Sequence, residues 1–205
     1  MRPELWDIEN AFFTEGIRII AGVDEAGRGP LAGDVYAAAV ILPHGVVING
    51  LDDSKKLSEA RRELLFDEIT AAAVSFCIAY ADVHEIEELN ILGATHLAMN
   101  RAIGGLSTVP DISLIDGNRD KGITHHSRCI IGGDAKSASI AAASILAKVS
   151  RDRYMRKLAE EYPGYGFEKH KGYGTKAHVE AILKLGATPV HRPLFLRKIL
   201  NGGYK

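Results

Sequence analysis

Apolar and polar positions fall in blocks along the chain, and the blocks predict its elements. Two runs with β-branched residues, 19–23 and 35–42, flank the turn Gly27-Arg28-Gly29-Pro30, as in two strands joined by a turn. Residues 75–83 read as a third strand, and the short runs 112–115 and 128–131 as two more. Helical patterns lie between them. Ser58 is placed to cap a helix over 59–73, with Glu59 in its first turn. Residues 85–103 follow a helical period that Gly104 and Gly105 stop, and an alanine-rich helix is predicted over 135–160. A last helix runs over 175–185 and ends at Gly186. Residues 1–16 are amphipathic, helical or irregular; 51–57 is a polar loop and 163–174 a glycine-rich, aromatic one. Strands first, then strands alternating with helices, predict an α/β fold: a mixed sheet flanked by helices.

Composition narrows the class. The chain has 205 residues, 46% of them hydrophobic, enough for a sizeable core in one domain or a domain with a small appendage. Two cysteines, Cys77 and Cys129, make neither a disulfide framework nor a cysteine-rich zinc site, which suits a reducing, cytoplasmic setting. Glu4, Asp7 and Glu9 do not fit a signal peptide, and no apolar run approaches the ~20 residues needed to cross a bilayer. The net charge of −1 hides an asymmetry. Residues 1–118 hold 8 Lys and Arg against 19 Asp and Glu; residues 119–205 hold 17 against 7. A basic half suits a polyanion and an acidic half suits metal ligands, unless the halves fold together and neutralise each other.

The chemistry-bearing pattern is a carboxylate just after an apolar strand. It occurs at Asp24 with Glu25, at Asp116 and at Asp134. Strand ends on one edge of an open sheet are where α/β sites gather. Carboxylates meeting there repel one another unless cations bind them, and oxygen-only donors favour Mg²⁺ or Mn²⁺ over zinc. Two such ions about 4 Å apart can activate water and stabilise the leaving oxygen of a phosphodiester. Taken singly, Asp116-Gly117-Asn118 is a common turn and Asp134 a common helix cap; the signal lies in the set. Neighbouring strand residues point to opposite faces. Asp24 and Glu25 therefore serve one site only if the pleat is broken there, or if Glu25 offers its backbone carbonyl.

These residues carry a family resemblance. Asp24-Glu25-Ala26-Gly27-Arg28-Gly29-Pro30 is similar to the signature of ribonuclease HII, the type 2 ribonuclease H. Asp53-Ser54-Lys55-Lys56-Leu57, Ile115-Asp116-Gly117-Asn118, Gly133-Asp134-Ala135-Lys136-Ser137, the segment 142–152 and His170-Lys171-Gly172-Tyr173 resemble that family in order, over residues 18–192. Asp34 departs, standing where the family often has proline after the glycine. The sister ribonuclease HIII usually has lysine in place of Arg28.

The resemblance implies a ribonuclease H-like catalytic domain over 1–160, with a C-terminal loop and helices over 161–205 that contact substrate. It implies metal-dependent cleavage of RNA in RNA–DNA hybrids and at ribonucleotides embedded in duplex DNA, by a monomer with no membrane association. Asp24, Glu25, Asp116 and Asp134 would carry Mg²⁺ or Mn²⁺. Gly27, Arg28 and Gly29 would read the 2′-hydroxyl, and Tyr173 would pack on the sugar beside the scissile phosphate. Lys55, Lys136 and Lys171 are candidate phosphate contacts, although surface lysines ordinarily just solvate; His170 and His178 could assist protons or product release, but a structural or surface role is the ordinary reading of each. Two other classes compete with the nuclease. A non-catalytic binding module would use the basic half. A small-nucleotide enzyme would need a helix after Gly33 to complete a phosphate cradle, and a strand is predicted there instead.

Overall fold

The computed structural model describes residues 3–51, 54 and 57–201. Five strands, β1 (Ile20–Ala26), β2 (Val35–Ile41), β3 (Ser75–Ala81), β4 (Ile112–Asp116) and β5 (Ser127–Ile130), form one sheet in the order β3-β2-β1-β4-β5. β1, β2 and β3 are antiparallel neighbours, while β4 and β5 run parallel to β1. The helices are α1 (Asp7–Thr14), α2 (Glu59–Ala72), α3 (Val83–Gly104), α4 (Ala138–Glu161), α5 (Phe167–His170), α6 (Lys176–Leu185) and α7 (Pro193–Leu200). The architecture is thus the expected α/β one, a mixed sheet flanked by helices.

Burial on both faces explains why β2 is almost uniformly apolar. Ala38 and Val40 pack against α4, while Ala37, Ala39 and Ile41 pack against α3. Small side chains bring α4 close to the sheet. A Cβ on Gly22 of β1 would overlap the backbone of Ser139 and Ile140, so glycine is what lets the two elements touch. A third apolar cluster joins the far end of α4, through Met155 and Leu158, to Tyr165, Phe167, Val179 and Leu196 of the C-terminal helices and to Ala32 beyond β1. The C-terminal part is thereby packed against the loop that follows the first strand.

Most boundaries follow from caps. Ser58 accepts from the Arg61 N–H at 3.2 Å, and Thr175 from the His178 N–H at 3.3 Å. Asp82 and Glu85 form a reciprocal capping box at the start of α3. α3 is interrupted at Asn90 (φ 58°, ψ 170°), whose Oδ1 accepts from the N–H of Leu92 and restarts the helix. α4 begins later than its pattern suggests because Gly133–Ala135 form a 3-10 turn and Ser137 is the cap. α5 and α7 were not foreseen; α7 opens on Pro193, which suits a first helical position. Among the described residues, no helix is long and apolar enough to cross a membrane.

Candidate active site

β1 keeps its regular pleat through the two acids, pairing Asp24 with Ala38 and Glu25 with Ala37. Asp24 therefore lies on the α4 side of the sheet and Glu25 on the α3 side. They still meet one space, since both line a cleft of about 220 Å³ with Asp116, Ser144 and Lys148. Asp116 stands one residue beyond the Val23–Ile115 pair on the parallel neighbour, beside Asp24. Asp24 is only 5% exposed. Burial holds its carboxyl well above the usual carboxylate range, and the charges of Glu25 and Asp116 push it further. Hydrogen bonds with Ser144 and from the Glu25 N–H pull it partly back.

Asp134 is reached through a turn. After Gly132, in the left-handed region (φ 65°), the 3-10 turn Gly133–Ala135 begins, and the Gly133 N–H donates to Asp116 Oδ1 at 2.7 Å. Asp134, 6% exposed, is the next residue, but it is not among those lining the cleft. Among the described residues, no three His, Cys, Asp or Glu side chains are drawn together as a ready coordination group.

The glycine turn is built from behind by two buried arginines, each 1% exposed. Arg192 donates to the carbonyls of Gly27 (2.7 Å), Arg28 (3.1 Å), Pro30 (3.0 Å) and Gly33 (2.8 Å). Arg151 donates to those of Ala32, Asp34 and Lys171. Gly27 has φ 100°, and a Cβ there would overlap the Arg151 guanidinium, so two constraints demand glycine. Arg28 reaches back to Glu25, Nη1 to Oε1 at 3.1 Å. The departure at Asp34 has a local explanation. Its carboxyl is buried, hydrogen-bonded with Tyr154 and set near Arg192 and Arg151; burial still pushes it up to about 6.

Tyr173 faces the turn from the other wall, 45% exposed, its Cε1 3.6 Å from where a Gly29 Cβ would stand. Its loop is tied to the turn by the Leu31 N–H donating to the Gly172 carbonyl at 2.8 Å. A histidine relay fixes it from below. The Thr188 N–H donates to His191 Nδ1 (3.0 Å), which makes His191 Nε2 the donor to His178 Nε2 (3.1 Å) and His178 Nδ1 the donor to the Tyr173 carbonyl (2.9 Å). Burial pushes both imidazoles down to about 4, in keeping with a neutral chain. His170 caps the same loop, with Nε2 on the Tyr165 carbonyl and Nδ1 accepting from the Gly172 N–H.

The candidate lysines scatter. Lys171 is buried, with Nζ on the Glu168 carbonyl at 2.7 Å and near Glu59 at 3.7 Å. Lys136 donates to the Ile131 carbonyl at 2.6 Å, and Lys55 lies outside the described residues. The cleft instead holds Lys148, paired with Asp152 at 2.5 Å, together with Ser54 and Ser144, whose hydroxyls meet at 2.9 Å. Sequence reasoning missed Lys148, Arg151 and Arg192. The first two had a signal, since Ser144, Lys148 and Arg151 recur at the spacing of one helix face.

The donor set fits a hard divalent cation. It is all oxygen, and Asp24 carries like-charge repulsion that a cation would relieve.

Comparison with known proteins bears on the family and the fold. The family model for ribonuclease HII matches residues 21–198. A ribonuclease HII of Endomicrobium trichonymphae is 53% identical over 196 residues, covering 95% of this chain and 93% of that protein. The crystal structure of the ribonuclease H2 from Pyrococcus horikoshii OT3 aligns with TM-score 0.74 at 26% identity, over 91% of this chain and 99% of the other. Bst-RNase HIII, solved in complex with Mn²⁺, shares the fold with TM-score 0.70 at 18% identity, over 90% of this chain and 70% of the other. A relative more than half identical almost from end to end, and a family model spanning both the carboxylate strands and the arginine-held turn, establish that the chain belongs to the ribonuclease HII family, metal-dependent endoribonucleases that cleave RNA in RNA–DNA hybrids.

Proposed function

We propose that the chain also cuts at single ribonucleotides embedded in duplex DNA, and that Asp24, Glu25, Asp116 and Asp134 are its metal ligands. The observation that carries this reading is one cleft lined by three carboxylates, the glycine turn and Tyr173 together. When bound, two Mg²⁺ or Mn²⁺ ions would activate water and stabilise the leaving oxygen.

The protein's own part is positioning. Arg192 and Arg151 take up the carbonyls of the turn, so Gly27, Arg28 and Gly29 have their N–H groups to present to a ribose. The 2′-hydroxyl is the group that separates RNA from DNA, and glycine lets backbone reach it closely. Tyr173, held over Gly29, packs on the neighbouring sugar. Residues 161–205 act as the substrate-contacting part through this tyrosine. All these groups come from one chain, which suits a monomer, and the free Cys77 and Cys129 suit a reducing cytoplasm.

The test is a DNA duplex carrying one ribonucleotide, incubated with Mg²⁺, with the cut mapped beside an all-DNA control. A single cut next to the ribonucleotide, and none in the control, is the expected result. Cleavage of long hybrids with no cut at the lone ribonucleotide would overturn the finer reading.

A further inference from the structure

The carboxylates stand where two cavities meet. One is the cleft with the glycine turn and Tyr173. The other, about 360 Å³, opens on the α3 side and shares Glu25, Arg28 and Asp116 as a common wall. Its far side carries Asn118 and Arg119 over a base that includes Leu92 and Met99. An adjoining hollow shares Leu92, His96, Asn118 and Arg119 and runs on to Lys121. The two make one groove leading away from the carboxylates. Its size is that of a site for a small organic group.

The groove wall is built in advance. Gly117, with φ 111°, turns the chain out of β4 and into Asn118 and Arg119. The loop that follows is fastened to α3: Asn100 Nδ2 donates to the Gly122 carbonyl at 2.8 Å, and Asn100 Oδ1 accepts from the Thr124 N–H at 2.9 Å. A Cβ on Gly122 would overlap the His96 ring, so this loop lies directly on the helix. Arg119 is exposed, and among the described residues no carboxylate pairs with it. The acids of the groove are Glu25 and Asp116 at its inner end and Asp120 at its outer end.

We propose that this groove is a phosphate subsite, in which Asn118 and Arg119 bind a phosphodiester of the nucleic acid beyond the bond that is cut. It rests on the nuclease reading. The substrate is a polymer, so its strand continues past the reacting phosphate. Near a cluster of acids, the next phosphates are repelled unless a donor meets them. A guanidinium with planar, forked donors is the side chain suited to that task. Phosphate contacts set register without reading identity. Asn118 and Arg119 therefore govern affinity and alignment, while the glycine turn governs the choice of sugar.

The experiment measures binding and cleavage separately, on duplexes with one ribonucleotide and with single phosphates replaced by neutral methylphosphonates. Arg119→Ala is expected to weaken binding about tenfold, reduce the salt dependence by about one unit of slope, and leave kcat close to the parent's. At one or two phosphate positions, neutralisation and Arg119→Ala should not add, because each removes the same contact. Asn118→Ala should show the same coupled positions, and thermal unfolding of both variants separates lost contact from lost fold. Additive effects at every phosphate, or a fall in kcat with unchanged affinity, would overturn the subsite. Failure of the unmodified protein to cut would instead strike the nuclease reading, since the binding measurement stands without it.

Discussion

Arg192 shows how one side chain sets the geometry of a functional turn. Its guanidinium serves four backbone carbonyls spread from Gly27 to Gly33. Burial pulls its pKa down to about 9, which still leaves it charged at neutral pH. Lysine has one donor centre where arginine has a fork, so Arg192→Lys leaves carbonyls unsatisfied. It should cost about 3 kcal/mol, read in denaturant unfolding, and should lose ribonucleotide selectivity as the turn loosens. Asp34 beside it has the opposite economy. Its folded carboxyl titrates near 6 against a usual value near 4, so the folded state holds a proton that the unfolded state has lost in between. Its stabilising contribution is present below pH 4 and is lost as pH rises through 6. Asp34→Asn should therefore gain stability relative to the parent at pH 7, with the difference closing as pH falls to 4. An unchanged difference across that window would contradict this. Arg192's role was not visible in the sequence, because its partners lie more than a hundred residues away in the turn; for Arg151 only the helix face shared with Ser144 and Lys148 was legible, not the carbonyls it meets.

Among the elements, the strands were legible from apolar runs and the helices from caps and stops. Ser58 and Gly186 sit at the ends they signalled, while Thr175 proves to be the cap of α6 and not its first helical residue. The break at Asn90 was not legible, since a lone asparagine in a helical period carries no warning of its own. α7 was hidden by its brevity, eight residues opened by a proline. The loop before α6 gives the prediction at this scale. His178 and His191 are held near 4, below the ordinary imidazole value of about 6.5, so the unfolded state binds protons the folded state refuses. That contribution is present above 6.5 and lost as pH falls through 4. His191→Gln should flatten this part of the acid unfolding profile. His178→Ala, which removes the donor to the Tyr173 carbonyl, should raise KM several-fold more than it lowers kcat. A fall in kcat alone would argue against a role in placing Tyr173.

At the scale of the whole molecule, the acidic and basic halves interlock. Arg153 and Arg156 of α4 pair with Glu63 of α2 at 2.5 and 2.7 Å, and Arg156 also meets Glu59. Part of the charge asymmetry is thus neutralised within the fold, and part remains at Arg119 beside the site. The order of carboxylates after strands could be read in the sequence; how Asp24 and Glu25 share a cleft could not. A regular pleat sends them to opposite faces, and both reach the cleft because it lies at the strand end. The most direct measurement compares cleavage of an RNA–DNA hybrid in Mg²⁺ by the parent and by Asp24→Asn, with folding and hybrid binding checked on the same samples. The account predicts a folded variant that binds the hybrid and cuts it about a thousandfold more slowly, some 4 kcal/mol of barrier. Turnover near the parent's from folded Asp24→Asn would contradict it.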